Sequence, residues 1–225
     1  RLGVALVRRG EDGEPLRDAN GYCLRVATGE AGEAIGRIAA GAARFEGYSD
    51  PAATAKKILR NVFEANDAYV RTGDLMRQDG QGFFYFVDRL GDTFRWKGEN
   101  VATTEVAAAL IAYPGITAAN VYGVAVPGAD GRAGMAALEI DTAFDPAGLR
   151  SHLKTRLPDY ARPIFLRLVG ALAVTETFKQ KKSDLAAEGF DPSRIADPMY
   201  ADIGSGYVRL DAALYERVSS GLIRL

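Results

Sequence analysis

The spacing of apolar residues changes along this chain, and each change marks a new element. Short apolar runs interrupted by glycine dominate residues 1–48, where 2–7, 21–27 and 34–38 read as strands of small twisted sheets. Asp50-Pro51 then opens a predicted helix, with the Asp as cap and the Pro in the first turn; Ala55, Ile58, Leu59, Val62 and Phe63 share one face of it. Residues 69–71 and 83–87 flank the turn Asp79-Gly80-Gln81-Gly82 and read as a hairpin ending at Asp88-Arg89. Beyond a polar and aromatic stretch punctuated by Gly91 and Gly98, helices and strands alternate. Thr103 or Thr104 is expected to cap a helix with Val106, Ala109, Leu110 and Tyr113 as its buried stripe and Pro114-Gly115 as its stop. Strands follow at 118–126 and 133–140. Asp145-Pro146 opens another helix, with Leu149, Leu153 and Leu157 on one face and Pro158 at its end, and 164–169 returns as a strand. The pattern predicts an α+β fold with a boundary near residue 89 and no internal repeat.

Composition narrows the function classes. In 225 residues, 48% are hydrophobic and the net charge is −1, so real cores are expected and nothing invites nucleic acid. The densest basic cluster is Lys179, Lys181 and Lys182. A single cysteine, Cys23, can form neither an internal disulfide nor a zinc site and reads as a buried structural residue. His152, the one histidine, lies between Arg150 and Lys154 on a polar helical face and reads as solvated, which disfavours a Ser-His-Asp triad. Apolar runs are strand-sized, short of the roughly 18 to 20 residues that span a bilayer. Arg1 opens directly into a strand-like run, as expected of a piece of a longer chain.

Three stretches carry candidate chemistry. In Tyr69-Val70-Arg71-Thr72-Gly73-Asp74-Leu75 a strand is expected to end in a glycine turn that presents a carboxylate. Two acceptor oxygens suit the paired hydroxyls of a ribose, although Asp74 taken by itself reads more readily as a plain Asx-type turn residue. The others are Asp88-Arg89-Leu90-Gly91-Asp92-Thr93-Phe94-Arg95-Trp96-Lys97-Gly98-Glu99-Asn100-Val101 and Val174-Thr175-Glu176-Thr177-Phe178-Lys179. Together these resemble the adenylate-forming superfamily, which contains acyl-CoA synthetases, peptide-synthetase adenylation domains and luciferases. The wording from Gly91 to Val106 is similar to one branch of it, the fatty-acid transport proteins or very-long-chain acyl-CoA synthetases. The resemblance extends to Pro127-Gly128-Ala129-Asp130-Gly131-Arg132-Ala133-Gly134-Met135, to Leu157-Pro158-Asp159-Tyr160-Ala161-Arg162-Pro163 and to Gly189-Phe190-Asp191-Pro192.

The resemblance implies that residues 1–89 are the incomplete carboxyl-terminal portion of a large adenylation domain, with short twisted sheets plus a helix. Residues 90–225 would be a compact α+β mobile domain with a family-specific tail. It implies AMP-forming fatty-acid CoA ligase chemistry: ATP and a long- or very-long-chain acid give an acyl-adenylate and pyrophosphate, and coenzyme A then displaces AMP. Lys179 would be the catalytic residue, an ammonium offsetting the repulsion between carboxylate and α-phosphate. Asp74 and Arg89 would hold the ribose hydroxyls, Gly91 would be the hinge, and Arg95, Lys97 and Gly98 would line the tunnel for the pantetheine arm of coenzyme A. Alternation along a strand would send Trp96 to the face opposite Arg95 and Lys97, and Lys181 and Lys182 would be solvated. Glu176 departs from the Thr-Gly-Thr-Phe-Lys pattern of the branch, while Phe178 agrees with it.

The superfamily's Ser/Thr/Gly-rich phosphate loop is nowhere in this sequence. The sites for triphosphate, Mg2+ and acyl chain are therefore expected in the absent amino-terminal part, and the fragment alone is expected to be inactive. A cytoplasmic location is implied, with peripheral attachment to the inner face of a membrane left open as a property of that part. Two alternatives stay open: an adenylation domain of another carboxylate-activating enzyme, and a fatty-acid uptake module that acts by acyl trapping.

Overall fold

The computed structural model describes residues 3–10, 13–38, 57–142, 144–172 and 182–225, and the chain divides into two compact units, Arg1–Gly91 and Asp92–Leu225. In the first, β1 (Val4–Val7), β2 (Ala31–Arg37), β3 (Ile58–Arg60), β4 (Ala68–Gln78) and β5 (Phe84–Arg89) form one antiparallel sheet ordered β1-β2-β4-β3, with β5 also on β4. The long strand β4 changes partner along one edge. Ala68–Val70 pairs with β3, and Asp74–Gln78 pairs with β5, so Arg71, Thr72 and Gly73 lie at the gap between the two partners.

Two expectations fail in this unit. The helix expected over 50–63 does not reach its end, because Ile58–Arg60 is a strand; residues 50–56 lie outside the described residues. The local cause is Asn61, which takes φ 51, together with Asp67, whose carboxylate accepts the backbone N–H groups of Val62, Phe63 and Glu64. These bonds draw the chain into a tight loop where a helix would need the same N–H groups for itself. Residues 21–27 make isolated bridges, Arg17 with Cys23 and Val7 with Arg25, instead of a strand. Cys23 is buried as expected, beside Val7, Ile35, Val62 and Tyr69. At the centre of the sheet, Glu33 is fully buried, and Arg71 grips both its oxygens at 2.7 and 2.8 Å.

The second unit begins with a small hairpin, β6 (Phe94–Trp96) and β7 (Glu99–Val101), followed by α1 (Thr103–Ile111). A mixed sheet ordered β12-β11-β10-β9-β8 follows, built from β8 (Ile116–Val124), β9 (Ala133–Ile140), β10 (Phe165–Leu168), β11 (Met199–Asp202) and β12 (Tyr207–Arg209). Among the described strands of this sheet only β9 and β10 run parallel, and α2 (Pro146–Lys154) lies between them in the chain. Helices α3 (Lys182–Glu188) and α4 (Ala212–Ser219) and a single 3-10 turn at Asp159–Ala161 complete the described elements. Val106, Ala109 and Leu110 of α1 join Leu149 and Leu153 of α2 in one core with the sheet, and Leu157 enters it from beyond the end of α2. Burying a Leu or Val this fully is worth about 1.5 to 3 kcal/mol, and that gain fixes α1 and α2 on their apolar stripes.

The caps divide the expectations. Asp145 caps α2 as predicted, accepting Ala147 N–H at 2.9 Å. Thr103 and Thr104 do not cap α1: the cap position is Ala102, and Thr103 is the first helical residue, buried. Tyr113 is only half-buried, and its hydroxyl donates to Asp145 O. β11, β12 and α4 had no counterpart in the sequence reading. They contribute Met199, Ala201, Tyr207, Leu214 and Val218 to the core, so the tail is part of the unit.

Candidate functional site

The partner switch on β4 builds the first candidate site. Thr72 Oγ1 donates to Ala34 O at 2.9 Å and accepts Asp74 N–H at 3.1 Å, which pins the backbone between two sheet neighbours. Gly73 sits at φ +81, a conformation that suits glycine, and its carbonyl accepts Leu90 N–H at 2.9 Å. The strand therefore does not end in a glycine turn, as the sequence suggested. It runs on through an irregularity in register that re-aims Asp74.

Asp74 and Arg89 are register partners across β4 and β5, with Arg89 Nε 3.8 Å from Asp74 Oδ1. Their side chains are 31% and 51% exposed in that order, so both are open to a ligand. At 3.8 Å the two ions attract without sharing a hydrogen bond, which leaves an acceptor and a donor side by side. The backbone of Arg89 is held by its neighbour, since Asp88 Oδ1 accepts Arg89 N–H at 2.8 Å.

Gly91 follows in an exposed turn. Its φ is not in the left-handed region, and a Cβ there would meet nothing within 4 Å. In this conformation the position does not require glycine. Lys97 at φ 51 and Gly98 at φ +85 form the two-residue connection of the β6–β7 hairpin, where both residues need positive φ. Arg95 Nε donates to Gly98 O at 3.0 Å and so spans the turn, while Arg95 and Lys97 are both exposed. Trp96 is 3% exposed and packs inward, as alternation requires. Phe94 anchors the hairpin from the same inner face. Its ring lies over Gly123 and Gly134, which are themselves register partners, and a Cβ on Gly123 would come within 2.7 Å of it. Two facing glycines thus make the space that seats the segment bearing Arg95 and Lys97.

Lys179, Phe178, Glu176 and Lys181 lie outside the described residues. Lys182 contradicts its expected solvation. Its ammonium donates to Thr103 Oγ1 at 2.6 Å and lies 3.0 Å from Asp92 Oδ2, because two acceptors from separate segments converge on it. His152 is not solvated either: its Nε2 is 2.8 Å from Ala109 O and its ring packs edge-on against Tyr113, since α2 lies against α1. Among the described residues no cluster of His, Cys, Asp or Glu could hold a metal ion, and no helix is long and apolar enough to cross a membrane. A surface depression of 240 Å³ on the first unit is lined by Gly29, Arg77, Gln78, Asp79 and Tyr85, with no motif residue.

Sequence reasoning missed Thr72 as the residue that orients Asp74, and the Thr-Gly-Asp wording was the available signal. It also missed the buried Glu33–Arg71 pair and the Lys182 contacts. Those partners are far apart in the chain, and spacing could not have joined them.

Comparison with known proteins bears on both units. The model of the AMP-binding enzyme C-terminal domain family matches residues 105–179. Long-chain fatty acid transport protein 3 of Mus musculus is 48% identical over 219 residues, covering 95% of this chain and 32% of that protein. The medium/long-chain-fatty-acid–CoA ligase FadD6 of Mycobacterium tuberculosis is 46% identical over 215 residues, covering 94% of this chain and 36% of that protein. The chain thus spans about a third of the length of these curated relatives. Among solved structures, the amide bond synthetase McbA of Marinactinospora thermotolerans aligns with a TM-score of 0.63 at 27% identity, covering 82% of this chain and 34% of that one. O-succinylbenzoate coenzyme A synthetase (MenE) of Bacillus subtilis, in complex with AMP, shares the fold with a TM-score of 0.63 at 21% identity, over 81% of this chain and 33% of that one. The resemblance read from the motifs holds as far as these matches reach: residues 105–179 match the AMP-binding enzyme C-terminal domain, the chain is similar to long-chain fatty acid transport proteins and to FadD6, and the fold is α+β as expected.

Proposed function

We propose that the chain is part of an AMP-forming fatty-acid CoA ligase, joining a long- or very-long-chain acid to ATP and passing the acyl group to coenzyme A. The observation that carries this reading is the Asp74–Arg89 pair, an acceptor and a donor held side by side at the register irregularity of β4. Such a pair matches vicinal hydroxyls, with the carboxylate accepting from one and the guanidinium donating to the other. Both keep free capacity in this structure, so they fit the ribose of ATP and of the adenylate. Mg2+ would be held with the triphosphate by residues outside this chain.

In this reading Lys179 supplies an ammonium to the α-phosphate and the attacking carboxylate, offsetting the negative charge that grows as they meet. Gly91 is the joint about which the carboxyl-terminal unit turns between the two half-reactions. Its Cβ-free, exposed turn offers no packing to resist that rotation. After the turn, the exposed Arg95 and Lys97 and the tight turn at Gly98 would line the path of the pantetheine arm, while Phe94 and Trp96 keep the hairpin seated. Uptake by acyl trapping is a second reading, favoured by relatives that are named fatty acid transport proteins; it uses the same chemistry.

The test is ATP-dependent pyrophosphate release by the full-length protein that contains this chain, screened against fatty acids of graded length. Release that depends on a fatty acid and falls in Asp74→Ala and Arg89→Leu is the expected result. Release that ignores both substitutions would sink the assignment.

A further inference from the structure

We propose that Lys182 is a positioning residue of this ligase: its ammonium clasps the start of the carboxyl-terminal unit, so that Asp92, α1 and α3 turn as one piece about Gly91. The inference rests on the adenylate-forming reading above. Lys182 is the first residue of α3, and it stands three positions after Lys179 in the chain. Its Nζ donates to Thr103 Oγ1 at 2.6 Å and meets Asp92 Oδ2 at 3.0 Å. Thr103 is the first residue of α1 and is 1% exposed. Asp92 is the first residue of the second unit and directly follows Gly91.

One charged group therefore joins three segments that no strand pairing joins. An ammonium has three donors, and two of them are used on acceptors fixed by different elements. The Lys182 side chain is 19% exposed and that of Asp92 is 32% exposed, so the pair is partly shielded from water and salt screens it less than a surface pair. Gly91, one residue away, would meet nothing within 4 Å even with a Cβ. Backbone freedom thus ends at Gly91, and constraint begins at Asp92. Without the clasp, the rotation could spread into residues 92–93, and the end of the chain segment that delivers Lys179 would lose its fixed relation to the hinge. Lys182 touches neither substrate nor reacting atoms in this account; it acts through what it holds.

The experiment uses the full-length protein and measures adenylation and thioester formation separately for K182M, D92N, the double variant and K179A. K182M and D92N are each expected to lower kcat of both half-reactions roughly tenfold with little change in KM, and the double variant to be no worse than K182M. K179A is expected to lower adenylation far more than thioester formation. Asp92 is exposed enough that D92N should fold even where K182M does not, so the D92N kcat values stand as a second measure. Effects that multiply in the double variant, or a D92N enzyme as fast as the parent, would overturn the clasp while leaving the ligase reading intact. A K179A enzyme with undiminished adenylation would overturn the ligase reading, and the clasp with it.

Discussion

Arg89 stands across the β4–β5 ladder from Asp74 with its Nε 3.8 Å from Oδ1, near enough to share a ligand and too far to satisfy it in each other. The spacing is set by backbone. Thr72 holds the chain before Asp74, Asp88 holds the backbone of Arg89, and both side chains are left to solvent.

If the pair shares one ribose, the two substitutions should not add. Asp74→Ala and Arg89→Leu in the full-length protein are each expected to raise KM for ATP by roughly 10- to 100-fold, the range of one lost charge-assisted hydrogen bond. The double variant should cost little more than the worse single one. Initial rates against ATP concentration measure this, and fully multiplicative losses would show that the residues act on separate groups.

Lys179→Ala should separate the half-reactions. Adenylation is expected to fall by roughly 100-fold or more, while thioester formation from a supplied acyl-adenylate falls far less. The 225-residue chain by itself should show no pyrophosphate exchange, because no phosphate-loop motif lies within it. Exchange by the purified chain would refute that expectation.

Two glycines in the second half of the site should respond in opposite ways. A Cβ at Gly123 would lie 2.7 Å from Phe94, so Gly123→Ala is expected to cost about 1 to 3 kcal/mol and to loosen the hairpin bearing Arg95 and Lys97. Gly91→Ala meets no atom within 4 Å and needs no unusual φ, so its melting temperature should match the parent. Thermal melts of the two variants decide the point. Any kinetic effect of Gly91→Ala then reports on motion, with stability held constant.

How far the sequence spoke depended on the range of the interaction. The Leu149 and Leu153 stripe, the Asp145 cap and the inward Trp96 were legible because each follows from neighbours a few residues apart. The helix expected through Phe63 was not, because Ile58 and Leu59 suit a strand as well as a helix, and the deciding bonds come from Asp67. Asp74 and Arg89 could be named as motif residues, but their juxtaposition needed the ladder between β4 and β5. Lys182 looked solvated beside two other lysines, and only the fold brought Thr103 and Asp92 to it.

Asp67 should also give the first unit an acid sensitivity. Burial would raise its carboxyl, but the N–H groups of Phe63, Val62 and Glu64 outweigh it and hold the group below the usual aspartate value of 3.8. Because the folded value lies below the unfolded one, the contribution to stability is complete above pH 3.8 and is lost as pH falls through the folded value. Asp67→Ala, which orphans those donors, is expected to cost about 2 kcal/mol at neutral pH. Denaturant titrations of parent and variant at neutral and acid pH should converge as the pH drops, and a gap that stays constant would contradict the assignment.

The parallel pairing of β9 with β10 bears on how the second unit assembles. β8 and β9 meet through a short antiparallel connection, whereas β10 can join β9 only after α2 has crossed between them. Loop closure costs more for the longer excursion, and non-local pairings form late. Amides of β8 and β9 should therefore gain protection before those of β10 and β11 in a pulse-labelled refolding experiment. A nascent chain would then have the Gly123–Gly134 seat for Phe94 ready before its carboxyl-terminal strands had joined the sheet.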